Sequence, residues 1–278
     1  MIRALKSSFF RFFSTGLFVK LLIISVVLGA FAILQTCASE YYMYFVSRPR
    51  YLTNEFVIFC ILKLVYTMPF ATAVFSMMFT GNDVSFRTIN NKITTGVSRV
   101  NIYIADLTVT VFASLLSLFV MTGLFFLFGR LAPVKSAVTF SKYIAGIFVQ
   151  VLLITVAFAS VYTLLQFFIS TKLLALILSL IMIPCLMFGN MYIEACLQEP
   201  YRESYKDEET GELCWKLNDE YIGGTPRKIL TFIYETSPYS YKFIENKEHV
   251  PQEAIAAGIV FALSSAAGIT SITKKEYQ

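Results

Sequence analysis

Six long apolar stretches alternate with polar connections along the 278 residues of the chain. A membrane-spanning helix needs about 20 consecutive, mostly apolar residues, because its backbone groups must bond within the segment when no water is present. All six stretches meet this requirement: 17–36, 56–79, 105–128, 143–169, 173–193 and 254–272. The pattern predicts an all-α, polytopic membrane protein with six transmembrane helices, in which residues 1–278 form a single transmembrane domain.

An amphipathic helix is predicted over residues 1–15, ahead of the first apolar stretch. Apolar residues recur there at helical spacing with basic residues beside them. The apolar set is Ile2, Leu5, Phe9, Phe12 and Phe13, and the basic set is Arg3, Lys6 and Arg11. Such a segment is expected to lie flat on the inner leaflet as an interfacial elbow helix. The alternative is a positive flank that only sets topology.

Residues 80–104 form a polar connection between the second and third stretches. Within 83–95, Phe86, Ile89 and Ile93 fall on one face of a short helix, and Gly96 suits the end of that helix. The stretch is interpreted either as a docking helix or as a solvated connector that rests on the bilayer. The fourth and fifth stretches are joined only by residues 170–172, which makes them tight antiparallel neighbours.

The Lys and Arg residues of the short connections favour an N-in, C-in orientation. The segment 194–253 then forms a large outer loop, and it is acidic, with thirteen Asp or Glu against seven Lys or Arg. Within this loop, residues 226–243 predict a helical or re-entrant piece broken at Pro238, or else a plain surface helix.

Composition agrees with lipid as the main solvent. The chain is 56% hydrophobic and 15% charged, its mean hydropathy is +0.66, and its net charge is +5. Soluble domains carry a more polar composition. The positive charge falls on the predicted inner face and matches anionic lipid, so no nucleic-acid partner is expected.

The chain lacks the sequence patterns of the enzymes considered. No phosphate loop of the G-x-x-x-x-G-K-[ST] type is present, so ATP must be handled by another polypeptide. The single histidine, His249, belongs to no metal-binding motif. We therefore expect no catalytic residue, no metal site and no cofactor bound by this chain.

Several polar residues near membrane depth allow two interpretations. Lys63 either lines a substrate route or extends to the outer headgroups. Asp106, at the inner end of the third span, is expected to be reached by water more easily than Lys63, and a position near a helix start suits its charge. Cys60 and Cys185 are expected to pack within spans. Cys196 and Cys214 share the outer loop and form either a disulfide or two free thiols.

The stretch that contains Asp83, Thr88-Ile89 and Gly96-Val97-Ser98-Arg99 resembles the type-two ATP-binding-cassette (ABC) permease family, similar to bacterial peptide and drug exporters. That family places an acidic residue, a Thr-Ile type helix and a small-small-Arg turn between its second and third spans. The resemblance extends in outline to the whole chain, with an elbow helix, six spans, a large last outer loop with a Ser-Pro near its end and a short basic tail.

The resemblance implies a half-transporter. Two copies, or this chain and a paralogous permease, would pair, and each would dock a nucleotide-binding ATPase subunit that supplies ATP and Mg. The implied coupling residues are Asp83, Phe86, Arg87, Ile89, Ile93, Gly96 and Arg99. By the same analogy the second and fifth spans line the route, and the implied lining residues are Lys63, Tyr66, Phe70, Met187 and Asn190.

The expected function is export of hydrophobic or amphipathic substrates across a bacterial plasma membrane. Abundant Phe and Met favour an adaptable apolar path, and antimicrobial or cytolytic peptides are the preferred class, with a lipid or drug as the alternative. A second hypothesis is a membrane immunity or sensor protein whose acidic outer loop binds an external cationic peptide. A secondary transporter is disfavoured, because the spans contain few ionisable groups.

Overall fold

The computed structural model describes residues 1–38, 52–86, 88–131, 142–169, 171–206, 213–237, 239 and 250–274. The chain forms two compact units. The first unit comprises Met1–Ile183 and Ala254–Gln278, and the second comprises Pro184–Glu253.

Helices account for nearly all of the described secondary structure. They are α1 (Ile2–Ser14), α2 (Leu17–Ala38), α3 (Leu52–Ser76), α4 (Asn82–Ser85), α5 (Thr88–Thr94), α6 (Arg99–Leu131), α7 (Lys142–Phe168), α8 (Lys172–Gln198), α9 (Gly224–Thr236) and α10 (Val250–Lys274). A π-helical turn, Met77–Gly81, joins α3 to α4. Within the described residues, six helices are long and apolar enough to cross a membrane, which agrees in number with the six predicted spans and is compatible with a multi-pass membrane protein.

In the first unit, α3 packs against α2, α6 and α7, and α1 packs along α6. One core cluster joins Phe12 of α1 to Phe75 of α3, Phe79 of the π turn and Val109 of α6. The segment 1–15 is therefore a helix that buries part of its apolar face against other helices of the chain. Its predicted position on the leaflet stays a prediction.

Small and hydroxylated residues set the close contacts between these helices. The hydroxyls of Ser25 and Ser117 lie 2.6 Å apart, and those of Ser160 and Ser264 lie 2.7 Å apart. Small residues permit this approach, and hydrogen bonds between spans add stability. At Gly268 of α10, a Cβ atom would come within 2.2 Å of the Tyr103 ring of α6. The tyrosine ring therefore occupies the space that this glycine leaves free.

The second unit contains a β-hairpin, so the prediction of an all-α fold is incomplete. Strands β1 (Arg202–Lys206) and β2 (Leu213–Leu217) pair antiparallel, with Arg202 opposite Leu217. The Asn218 amide closes the hairpin base by donating to Glu199 Oε2 at 2.9 Å and to the Pro200 carbonyl at 3.1 Å.

Helix α9 confirms that part of 226–243 is helical, while its position relative to a membrane stays a prediction. Its Arg227 donates to the Leu197 carbonyl at 2.7 Å and lies over the Tyr221 ring. Pro238, the predicted break, falls outside the described residues.

The structure describes the side chains of two of the four cysteines discussed above, Cys185 and Cys196. Cys185 is exposed on α8, and Cys196 carries a free thiol. The side chains of Cys60 and Cys214 lie outside the described part of the chain. The free thiol of Cys196 corresponds to the second of the two alternatives, free thiols rather than a disulfide.

Candidate functional site

The connection between the second and third candidate spans is helical almost throughout. Helix α3 continues through the π turn into α4. Helix α4 ends before Phe86, and α5 follows. Gly96, at φ +84°, ends this segment. The amide of Val97 donates to the Lys92 carbonyl at 3.1 Å, and that of Gly96 donates to the Ile93 carbonyl at 2.9 Å. These two bonds form a Schellman motif, which confirms the predicted helix end at Gly96.

Four charged side chains meet beside this connection, and we call them the charged junction: Arg11, Asp83, Lys92 and Asp106. The Arg11 guanidinium forms an ion pair with Asp83, and its Nη2 lies 3.9 Å from Asp106 Oδ1. Lys92 Nζ lies 2.6 Å from Asp83 Oδ2 and 3.7 Å from Asp106 Oδ1. Each cation thus faces both carboxylates.

Neutral groups complete the contacts around the charged junction. Ser8 Oγ donates to Asp106 Oδ1 at 3.0 Å, and Thr88 Oγ1 donates to Asp83 Oδ1 at 2.8 Å. The Arg11 guanidinium lies 4.0 Å from the centroid of the Phe79 ring, a favourable cation–π distance. Helices α1, α4, α5 and α6 and the π turn are therefore tied together at one point.

The two carboxylates are removed from solvent. Asp83 is 2% exposed and Asp106 is 0% exposed, so the expectation that water reaches Asp106 more easily than Lys63 is wrong. Burial of an isolated carboxylate is costly, and here two cations compensate it. Burial lowers the pKa of Arg11, and Asp106 opposes this shift. Burial also lowers the pKa of Lys92; Asp106 opposes that shift and Arg11 adds to it.

The start of α8 also lies beside the charged junction. Lys172 Nζ donates to Asn82 Oδ1 at 3.0 Å and lies 4.9 Å from the centroid of the Phe86 ring. Gly81 permits this approach, because a Cβ atom there would come within 2.6 Å of Gln166 Oε1 and 3.1 Å of Lys172 Cβ. Both short connections at this end of the first unit therefore meet beside the charged junction.

No family model, curated protein or solved structure matches this chain. The resemblance of the 83–99 stretch to ABC permeases therefore stays a prediction.

The apolar residues among the predicted coupling residues differ in their exposure to solvent. Phe86 is 67% exposed, whereas Ile89 is 0% exposed and Ile93 packs against the cluster around Ile89 and Tyr103. Phe86 therefore does not share one face with Ile89 and Ile93, contrary to the prediction from their spacing. The break at Phe86 separates α4 from α5, so a single helical periodicity does not hold across both.

The remaining coupling residues have different surroundings. Asp83 is a member of the charged junction, and Gly96 ends α5. Arg99 donates to the Thr273 carbonyl of α10 at 3.1 Å, so it has a contact within the chain. Arg87 falls outside the described residues.

The predicted lining residues belong to both units. In α3, Lys63 and Tyr66 are partly buried and Phe70 is 37% exposed. In the second unit, Met187 is partly buried, while Asn190 is 4% exposed and donates to the Tyr239 carbonyl at 2.8 Å. Asn190 thus has a contact within its own unit, and both interpretations of Lys63 stay open.

Sequence reasoning missed Ser8, Arg11, Lys92 and Asp106 as members of the site. One signal was available for Asp106, because an ionisable residue in an apolar stretch is expensive and needs a partner. Nothing in the sequence identified that partner, since Arg11 lies far away in an amphipathic segment with other basic residues. Within the described residues, no group of three or more His, Cys, Asp or Glu is placed to hold a metal ion.

Proposed function

We propose that this chain is the membrane-spanning subunit of an ATP-driven exporter of the type-two ABC class. A separate ATPase subunit would dock on the connection between the second and third candidate spans. The exported substrates would be hydrophobic or amphipathic, with peptides as the preferred class.

The charged junction is the observation that carries this proposal. A permease must convert movement of its partner into movement of its spans, and a flexible connector would absorb that movement. Here α5 is bound through Lys92 and Thr88 to Asp83, and through Lys92 to Asp106 of α6. Ile89 also lies in a buried apolar cluster that contains Ile102 and Phe167. A force on α5 would therefore reach α3, α6 and α7.

The docking surface in this proposal is centred on Phe86. Its ring is exposed and lies beside the Lys172 ammonium, so one apolar anchor and one cation are offered together. Buried aromatic anchors carry much of the binding energy of interfaces, whereas charges at the rim contribute less. We expect the partner to supply an apolar groove with an acidic rim.

The test is association with the ATPase. The tagged chain is purified from native membranes, the co-purifying ATPase is identified by its hydrolysis of ATP, and the affinity of the pair is measured. Phe86→Ala should weaken association by about 2 kcal/mol or more, because it removes an interface anchor. Membrane insertion and the thermal unfolding of the chain should not change, since the ring is exposed within the chain.

Phe232→Ala is the matched control. Phe232 is also 67% exposed, and it lies on α9 in the predicted outer loop. This variant should keep full association. The proposal is wrong if no ATPase co-purifies, or if Phe86→Ala and Phe232→Ala bind the ATPase equally well.

Two copies of the chain are expected in the assembled exporter. The purified complex should show an isologous dimer in nanodiscs, or a pair with a paralogous permease. A native mass that contains one permease with its ATPase bound would contradict this part of the proposal.

A second function, recognition of an external cationic peptide, is favoured by the acidic composition of 194–253. That segment lies entirely within the second compact unit. Vesicles that contain the chain should then bind a cationic peptide in a salt-sensitive way without any ATPase. Binding that needs the ATPase and ATP would favour export instead.

A further inference from the structure

Buried hydroxyls in the candidate spans of the first unit mostly donate to carbonyls of their own helix, at 2.7 to 3.1 Å. Examples are Thr67, Thr110, Ser114, Thr155, Thr163 and Ser179, each bonded to the carbonyl four residues earlier. This bond satisfies a hydroxyl that has no water nearby. It is the arrangement expected wherever the surroundings are dry.

Three hydroxyls on the second candidate span depart from this rule. Thr72, Ser76 and Thr80 are at most 1% exposed, and their oxygens have no hydrogen-bond partner among the described residues. They are spaced four residues apart, so they lie along one face, over about 12 Å of helix. The last of them lies in the π turn Met77–Gly81. Such turns occur frequently at functional sites.

A fourth polar side chain that is unpartnered among the described residues, Gln166 of α7, lies near Thr80, the last of these three hydroxyl residues. Its side chain is 1% exposed, and neither its amide nitrogen nor its amide oxygen has a partner in the described part of the chain. It lies beside Gly81, the residue after Thr80, since a Cβ atom at Gly81 would come within 2.6 Å of Gln166 Oε1. We call Thr72, Ser76, Thr80 and Gln166 the polar track.

The chemistry of the polar track selects its occupant. Hydroxyls both donate and accept, and a primary amide offers two donors and an acceptor. A metal cation would leave the amide N–H groups without acceptors, and an anion would leave the amide oxygen without a donor. A small neutral ligand that both donates and accepts satisfies every member, and buried water typically makes about three such bonds.

We propose that the polar track binds a file of water molecules inside the bundle. The file runs from the charged junction along the second candidate span, from Thr80 to Thr72. The junction end also has an unmet acceptor, because Asp106 Oδ2 is buried without a hydrogen-bond donor from the described residues. Thr80 lies one helical turn from Asp83, so the file begins at that level. The inference does not depend on the exporter proposal, since it follows from hydrogen bonding alone.

The test is water-edited solid-state NMR of the whole chain, labelled with ¹³C-threonine and ¹³C-serine, in vesicles of phosphatidylethanolamine and phosphatidylglycerol. Magnetisation from water should reach Thr80 and Ser76 several-fold faster than it reaches Thr155 and Thr163. The two control threonines are equally buried, but they bond to their own helices. Equal build-up at all four residues would show that the track is no more hydrated than the control positions and overturn the proposal.

Gln166→Leu tests the assignment of the site. The variant should slow transfer from water to Thr80 several-fold and leave Thr155 unchanged. If Thr80 keeps its fast transfer in Gln166→Leu, the amide does not hold the water and the proposed track is wrong. The measurement on the unmodified chain stands by itself if this variant does not fold.

Discussion

The charged junction and the neutral helix contacts elsewhere in the first unit join helices by different chemistry. At the junction, two buried carboxylates meet two partly exposed cations, and each cation faces both carboxylates. At other helix contacts of the first unit the groups are neutral: paired hydroxyls at Ser25 and Ser117, and the Tyr103 ring seated on Gly268. Both kinds of contact join helices that are distant in sequence.

The two kinds of contact should respond differently when one of the interacting side chains is removed. Removal of one member of a buried ion pair leaves an uncompensated charge, whereas removal of one hydroxyl leaves a second hydroxyl that can bond to its own helix. The junction should therefore hold its geometry strictly, and the neutral contacts should tolerate change. Strict geometry would suit the force transmission that the proposed function requires.

The largest effect is expected for Asp83→Asn. Arg11 and Lys92 would keep their charges while losing the carboxylate nearest to both, so the free energy of unfolding should fall by about 3 kcal/mol. Reversible unfolding in mixed micelles measures this change. Asp219→Asn, at an exposed position, is the control and should change stability by less than about 0.5 kcal/mol. Equal effects of the two variants would mean that the junction is hydrated, and the comparison would fail.

An intermediate effect is expected for Gly268→Ala. The added methyl group would overlap the Tyr103 ring, and overpacking of this kind costs about 1 to 3 kcal/mol. Gly258→Ala, where a Cβ atom would meet nothing within 4 Å, should be neutral or stabilising. In a Tyr103→Ala background the cost at position 268 should disappear. If it persists there, the ring is not its cause.

The smallest effect is expected for the hydroxyl pair. A double-mutant cycle with Ser25→Ala and Ser117→Ala should give a coupling energy of about 0.6 kcal/mol, as is usual for hydrogen bonds between spans. Ser25 also donates to the Leu21 carbonyl at 2.7 Å, which reduces what the pair can contribute. A coupling energy as large as the effect of Asp83→Asn would remove the distinction between the two regions.

The spans and the end of α5 could be predicted because each depends on local sequence. Length and apolar composition identify a spanning helix, and a glycine that follows a short helix indicates its end. The charged junction could not be predicted, because Arg11 and Asp106 become neighbours only when α1 packs on α6. Many basic residues are available near the N-terminus, and sequence alone does not select among them.

The orientation of α5 and the hairpin were missed for related reasons. Phe86, Ile89 and Ile93 have the spacing of one helical face, but α5 begins only at Thr88, and periodicity does not say which side of a helix faces the bundle. Tertiary packing assigns Ile89 to the core and leaves Phe86 exposed. The hairpin strands, RESYK and LCWKL, lack a clear apolar alternation, so the strand signal is weak.

The bond between Ser8 and Asp106 has a consequence for biosynthesis. These residues are separated by 98 positions, which corresponds to about 5 to 20 seconds at usual rates of translation. During that interval the N-terminal segment has been made and its carboxylate partner on α6 has not. Phe12, fully buried in the finished protein, must be held elsewhere until the third span arrives, and the apolar boundary of the lipid headgroups is the nearest place able to receive it.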